Sequence, residues 1–407
     1  MRKLILLGVL AAMVLPAGAT RRLTVAQLEE ALQAANEKHR ADEEAVRLLG
    51  EAVLTERLSD ATRERISASL HPGPKAALAL QLLADQSAFL DPPAAELPAA
   101  AVPDAATAQR ILDAARIYVV RTLLRLPDFF ATRTTSRFDN GPQVLKANEW
   151  PVRAGLHPVG NSSREITIRD DQSQPTAARP AKAAPAPPAM TGEQGLRTWG
   201  EFGLLLARIF VDTGKGELFF HHWEQAADGP IAVFRYSVPK SASSYTVDYC
   251  CLSLGPSGRQ GGRRGSGSAL LVNSPGDPTA SIHKTVGYRG SLFIDPASGT
   301  VLRITLEAQM GAGPVSRMAS VIEYGPVVIG DHAYVCPLRS LALIEALDSS
   351  NAANPAVATD RDTGVSTIVQ INETLFTNYH RLGATTRIVT DAQAPLPAEA
   401  PPAASHP

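Results

Sequence analysis

Between residues 286 and 310 the chain alternates. Leu302, Ile304 and Leu306 fall on one parity; Arg303, Thr305 and Glu307 fall on the other. Successive side chains of a strand point to opposite faces, so this stretch predicts a strand with one apolar and one polar face. Residues 291–294 predict a second short strand before it. Between the two, Asp295, Pro296, Ser298 and Gly299 carry turn chemistry. Asp accepts local backbone N–H groups, Pro fixes φ and Gly supplies positive φ. The unit reads as a β-hairpin of an antiparallel sheet whose polar face meets water or a ligand.

The same alternation recurs through the second half. In residues 129–138, Thr132, Thr134 and Ser136 alternate with Arg133, Thr135 and Arg137. Further strands are predicted over 165–168, 217–224, 231–238, 245–254, 321–329, 332–343, 365–379 and 385–389. Asp228-Gly229 and Gly330-Asp331 supply hairpin turns.

Residues 24–126 have a helical period instead. Thr24 followed by Gln27 is a capping box, with Val25, Leu28 and Leu32 on one face. Leu48, Leu49, Val53, Leu54 and Leu58 continue an amphipathic stripe until the break at 71–74. A further helix is predicted over 76–90, and another opens at Asp104, with Ile111, Ala115 and Tyr118 at helical spacing. Residues 199–211 read as one amphipathic helix, with Phe202, Leu205, Leu206, Ile209 and Phe210 inward. It would cover the sheet. Residues 170–192 are polar and Pro/Ala-rich; they cannot bury a core, so a disordered insertion is expected there, and a disordered tail over 391–407.

The fold class these patterns predict is α+β: a helical region over 20–126, then an antiparallel β-sheet domain over 127–390. A chain of 407 residues with 44% hydrophobic and 19% charged residues can bury a core of that size. Its formal net charge of −1 gives no bulk electrostatic case for nucleic acid as a partner.

The first residues change the compartment. Arg2 and Lys3 precede an apolar run over 4–15, and Pro16-Ala17-Gly18-Ala19 closes it with small residues. That layout is a secretory signal peptide over 1–19, cut after Ala19, and it predicts a periplasmic or secreted protein. The run is shorter than the ~20 apolar residues that a membrane span needs, so the protein is not expected to span a membrane. Disulfides persist after export, so Cys336 is expected to pair with Cys250 or Cys251.

Candidate chemistry is sparse. His221-His222-Trp223-Glu224 stands out, but ligands on one strand face need every second position, and adjacent histidines do not offer that. No metal centre and no cofactor are expected. The segment 255–267 carries Arg259, Arg263 and Arg264 without the frame of a phosphate-binding loop. No nucleophile elbow and no H-E-x-x-H motif occur, so a non-enzyme is expected. Arg289, Asp295, Arg303 and Glu307 would form solvated cross-strand pairs.

The run Gly287-Tyr288-Arg289-Gly290, Leu292-Phe293-Ile294-Asp295-Pro296, Gly299, Val301-Leu302-Arg303 resembles the central strands of LolA-like carriers and outer-membrane lipoprotein-sorting proteins. With Gly-Glu-Phe-Gly at 200–203, Phe-Arg-Tyr at 234–236 and Tyr-Gly-Pro-Val at 324–327, it is also similar to secreted proteins of acidobacterial-type soil bacteria. The resemblance implies a curved antiparallel sheet, an incomplete barrel closed by a helix, holding acyl chains in an apolar cavity and carrying no catalytic residues. Trp199, Phe202, Leu206, Phe293, Leu302, Ile304 and Leu306 are the candidate cavity residues. A lipid or lipoprotein is the expected partner. The alternative is a cell-envelope interaction module that docks a protein through the helical region.

Overall fold

The computed structural model describes residues 21–36, 41–123, 126–143, 152–153, 155–169, 172–175, 195–196, 200–226, 228–250, 281–312, 315–347 and 367–382. The expected signal peptide, the tail over 391–407, the strand over 385–389, Trp199 and most of the 170–192 insertion lie outside them.

The chain opens with β1 (Arg21–Leu23), α1 (Val25–Asn36), α2 (Ala41–Glu51), β2 (Ala52–Leu54), α3 (Asp60–Leu70), α4 (Pro74–Ser87) and α5 (Ala105–Leu123). Each start has a local cause. Thr24 and Gln27 exchange backbone-to-side-chain bonds at 3.0 and 3.2 Å, closing the predicted capping box of α1. The Ser59 hydroxyl accepts from Thr62 N–H at α3, and the Asp104 carboxylate accepts from Thr107 N–H at α5. Pro74 occupies the first turn of α4, where its missing N–H costs nothing. The stripe over 48–58 is not one helix. α2 stops at Glu51, and β2 pairs in parallel with β1. That pairing puts Leu23 and Leu54 into a common core with Leu28, Leu49, Ile66 and Leu83.

The remaining strands are β3 (Phe129–Asp139), β4 (Pro142–Gln143), β5 (Val152–Arg153), β6 (His157–Arg169), β7 (Gln172–Pro175) and β8 (Gly195–Leu196). After α6 (Leu204–Asp212) come β9 (Glu217–Ala226), β10 (Gly229–Val238), β11 (Thr246–Cys250) and β12 (Ser281–Thr285). The last are β13 (Gly287–Ile294), β14 (Val301–Gln309), β15 (Val315–Ile329), β16 (His332–Leu347) and β17 (Thr367–Arg381). Ten of these form one sheet in the order β7-β6-β3-β17-β16-β15-β14-β13-β10-β9. Every pairing in it is antiparallel. The sheet is open, with β7 and β9 as its edges, and the class is α+β. β7 falls within the stretch expected to be disordered; residues 172–175 instead extend the sheet by pairing with β6. β12-β11-β8 form a separate small sheet.

The predicted β13–β14 hairpin is present, and its turn works as read. The Asp295 carboxylate accepts from Ala297 N–H at 2.9 Å. Gly299 has φ of +75°, and a Cβ there would lie 2.5 Å from the Ala114 backbone, so the turn tucks against α5 only because that position is glycine.

The central strands of the sheet are covered on both faces. On one, Phe234, Tyr236, Tyr288, Leu292, Ile304, Leu306 and Ile322 pack beneath Ile111, Leu112, Ala115 and Val119 of α5 and Leu205, Leu206 and Ile209 of α6. On the other, Val321, Leu341, Leu343, Phe138 and Ile371 pack against Leu82 and Ala88 of the α4 region. The expectation of a wet second face is therefore corrected. Arg303 lies under the N-terminal region, donating to the Ala88 carbonyl at 2.8 Å and lying over the Phe293 ring. Only Arg289–Glu307 keeps an exposed partner of the pairs expected there, with Arg289 63% exposed.

Candidate functional site

Two seams hold the covers to the sheet, and they differ in chemistry. The first lies under α5 and α6, the lid. α6 begins at Gly203, whose φ of +121° suits glycine, and no side chain caps it. Phe202 precedes it and inserts among Phe129, Phe376 and Tyr379 at ring-centroid distances of 5.3–6.4 Å. At the other end, Asp212 accepts from the Ser244 backbone N–H and hydroxyl and from the Tyr288 hydroxyl, each at about 3.0 Å. Burial and the neighbouring Asp212 charge push the Tyr288 phenol far above its ordinary range, so it stays a donor.

Where α5, α6 and the sheet meet there is a cleft of about 20 Å³. Tyr118, Val119, Phe202, Leu206, Val301 and Tyr324 line it with Gly203, Val335, Pro337 and Leu126. It is apolar but for its tyrosines. The Tyr324 hydroxyl is buried and has no hydrogen-bond partner among the described residues. Burial raises its pKa well above the ordinary tyrosine value, so it too remains a neutral donor. An orphaned buried hydroxyl costs roughly 1–3 kcal/mol, which a bound acceptor would recover.

The expected cavity residues are only partly brought together. Phe202 and Leu206 line the cleft. Ile304 and Leu306, each 1% exposed, are closed in the core beneath the lid rather than open to a chamber. Leu302 is displaced by a bulge: Phe293 pairs with Arg303 and Ile294 with Val301, so Val301 takes the core position and Leu302 stays half-buried. Phe293 is on the opposite face, where the guanidinium groups of Arg57 and Arg303 each lie over its ring. Cys336 is a free thiol packed with Phe129, Phe202 and Phe376, so the expected bridge is not formed. Its strand belongs to the large sheet, whereas Cys250 ends a strand of the small one. Cys251 lies outside the described residues. Burial pushes the Cys336 thiol up to about 12, which keeps it protonated and inert.

The second seam joins the N-terminal region to the opposite face and adds buried charge to the apolar contacts of Leu82 and Ala88. Arg57 meets Glu224 at 2.5 Å, Arg235 meets Asp91 at 2.6 Å, and Arg339 meets Asp85 at 2.5 Å and Glu373 at 2.7 Å. Burial alone would raise Glu224, but the hydrogen bond from His222 and the Arg57 charge outweigh it and hold the carboxyl below its usual range. For Asp85, burial wins over Arg339 and lifts its pKa to about 6.

The histidine pair sits at this seam. In β9 the register slips: Val233 pairs with His222 and Phe234 with Phe220. His221 is the extra residue of a bulge, which is how two adjacent histidines come to share one side of the strand. The strict alternation assumed from sequence fails here. The two rings lie 4.6 Å apart, and His221 Nε2 is 3.5 Å from Asp91 Oδ2. One donor atom each from Asp91, His221 and His222 lies within 4.8 Å of the others.

No protein-family model matches the chain. No curated protein matches it. Among solved structures, a LolA superfamily protein from Nitrosomonas europaea is similar over 68% of this chain and 94% of its own, at 8% identity and a TM-score of 0.26. No helix among the described residues is long and apolar enough to cross a membrane.

Proposed function

We propose that this chain is an exported, non-catalytic protein of the bacterial cell envelope that binds the acyl moiety of a lipid or lipoprotein between its lid helices and its sheet. One observation carries the reading: the apolar cleft at the lid seam is lined by Tyr324, whose buried hydroxyl has no hydrogen-bond partner among the described residues. An acyl chain supplies apolar surface for the seam, and its ester or carboxyl oxygen accepts from Tyr324. The leader over 1–19 and the resemblance of residues 287–303 to lipoprotein carriers support the same reading, and the division at residues 126 and 127 is proposed with it.

The cleft of about 20 Å³ is far below the roughly 300–1,000 Å³ of a ligand pocket, so binding requires α5 and α6 to part. A second reading, the protein-docking module, draws on that close packing. It also draws on the outward apolar side chains of the lid: Ile117 and Val120 on α5, and Leu204 and Val211 on α6.

The test is native mass spectrometry of the full chain exported with its own leader. The acyl-binding reading expects a bound lipid mass that organic extraction removes. It also expects lipid uptake from phosphatidylethanolamine–phosphatidylglycerol vesicles, about tenfold weaker in Tyr324→Phe, the order of a charge-neutral hydrogen bond. Protein that emerges without bound lipid and takes none from vesicles would leave the docking reading standing.

A further inference from the structure

The bulge in β9 does more than turn a side chain. It sets two imidazoles beside a carboxylate that arrives from a different part of the chain, just after α4. We propose that Asp91, His221 and His222 form a binding site for a divalent transition metal of the zinc class, which clips the N-terminal helical region to the edge strand of the sheet.

The donor set suits that class: two imidazole nitrogens and one carboxylate oxygen are borderline ligands that zinc accepts with one position left to water. Ligand bonds of about 2.0–2.2 Å place donor atoms closer together than 4.8 Å, and small side-chain rotations close that gap. The surroundings match a metal site as well. One His222 ring nitrogen, Nε2, is 2.9 Å from Glu224 Oε1, which leaves Nδ1 for the metal. Glu224 is in turn held by Arg57 at 2.5 Å. A carboxylate that fixes the tautomer and direction of a ligating histidine is the usual outer shell of such a centre.

Arg235 is the competitor. Its Nη2 lies 2.6 Å from both oxygens of Asp91. The pair is open to water, with side chains 41% and 52% exposed, and exposed ion pairs are weak. One Asp91 oxygen can turn to the metal while the other keeps Arg235.

The experiment uses the full chain without any affinity tag, titrated with Zn²⁺ in equilibrium dialysis and with Co²⁺ followed by visible absorption. The expected result is saturable binding of one metal per chain with a tetrahedral cobalt spectrum. His221→Ala, His222→Ala and Asp91→Asn each weaken binding by tenfold or more, whereas His380→Ala does not. Glu224→Gln weakens it about 10–100-fold, as outer-shell changes do, and Arg235→Gln tightens it. Two results would overturn the proposal. One is the absence of saturable binding. The other is one-to-one binding that survives in a His221→Ala, His222→Ala double variant whose circular dichroism matches the parent.

Discussion

Both covers of the sheet rest on apolar contacts, but only the N-terminal one adds a set of buried ion pairs that reach across to the strands. Beneath α5 and α6 the contacts are apolar and non-directional, apart from the cluster at Asp212. Beneath the N-terminal region, charged side chains reach across at 2.5–2.8 Å, at Arg57, Arg303 and Arg339. The difference has a functional consequence. An apolar seam can be parted and re-formed around an apolar guest, because area rather than geometry sets its energy. A seam of buried charge cannot slide, since each misplaced partner leaves another group unpaired. The lid side is thus suited to admit something, and the charged side to hold position.

The largest expected effect lies on the charged side. Arg339→Ala would leave Asp85 and Glu373 facing each other without their cation, at a cost of about 3–5 kcal/mol in chemical denaturation. If the loss is under 1 kcal/mol, the ion pairs are incidental and the contrast between the seams collapses. On the lid side, Leu206→Ala removes a side chain that is 5% exposed, and about 2–4 kcal/mol of stability should go with it.

A smaller effect sharpens the contrast through pH. Asp85 has a folded-state pKa of about 6, above its unfolded value near 3.8. The folded state therefore binds the proton more tightly, and its contribution is fully present below about pH 4 and is lost as pH rises through 6. Stability should fall by on the order of 3 kcal/mol across that window from this group, and Asp85→Asn should flatten the slope of unfolding free energy against pH. An unchanged slope would remove Asp85 as its cause. Smallest of all, Arg289→Ala should change stability by less than about 0.5–1 kcal/mol, because that pair is exposed to solvent.

Much of this architecture was legible from alternation and capping. Thr24 with Gln27, Asp104, and the Asp295–Gly299 turn do locally what their residue types require, and local rules read well. What escaped was set by partners distant in sequence. Polar residues such as Arg303 and Thr305 looked wet because period-two alternation reports polarity, not exposure; the helices that cover them come some 200 residues earlier. The bulges at Leu302 and His221 were invisible for a related reason. Each inserts one residue against a partner strand, so register depends on a second segment that no single-strand pattern contains. That slip moved Leu302 out of the core and brought His221 beside His222. The Tyr324 hydroxyl had no signal at all, since a missing partner is a property of packed space.

The central claim, that the lid parts for an acyl guest, is tested most directly by hydrogen exchange of the full chain with and without lipid vesicles. Amides of Leu204–Asp212 should exchange faster than those of Pro74–Ser87 in the free protein, and should slow when lipid is bound. Exchange in α6 as slow as in β14 and β15, unchanged by lipid, would contradict it.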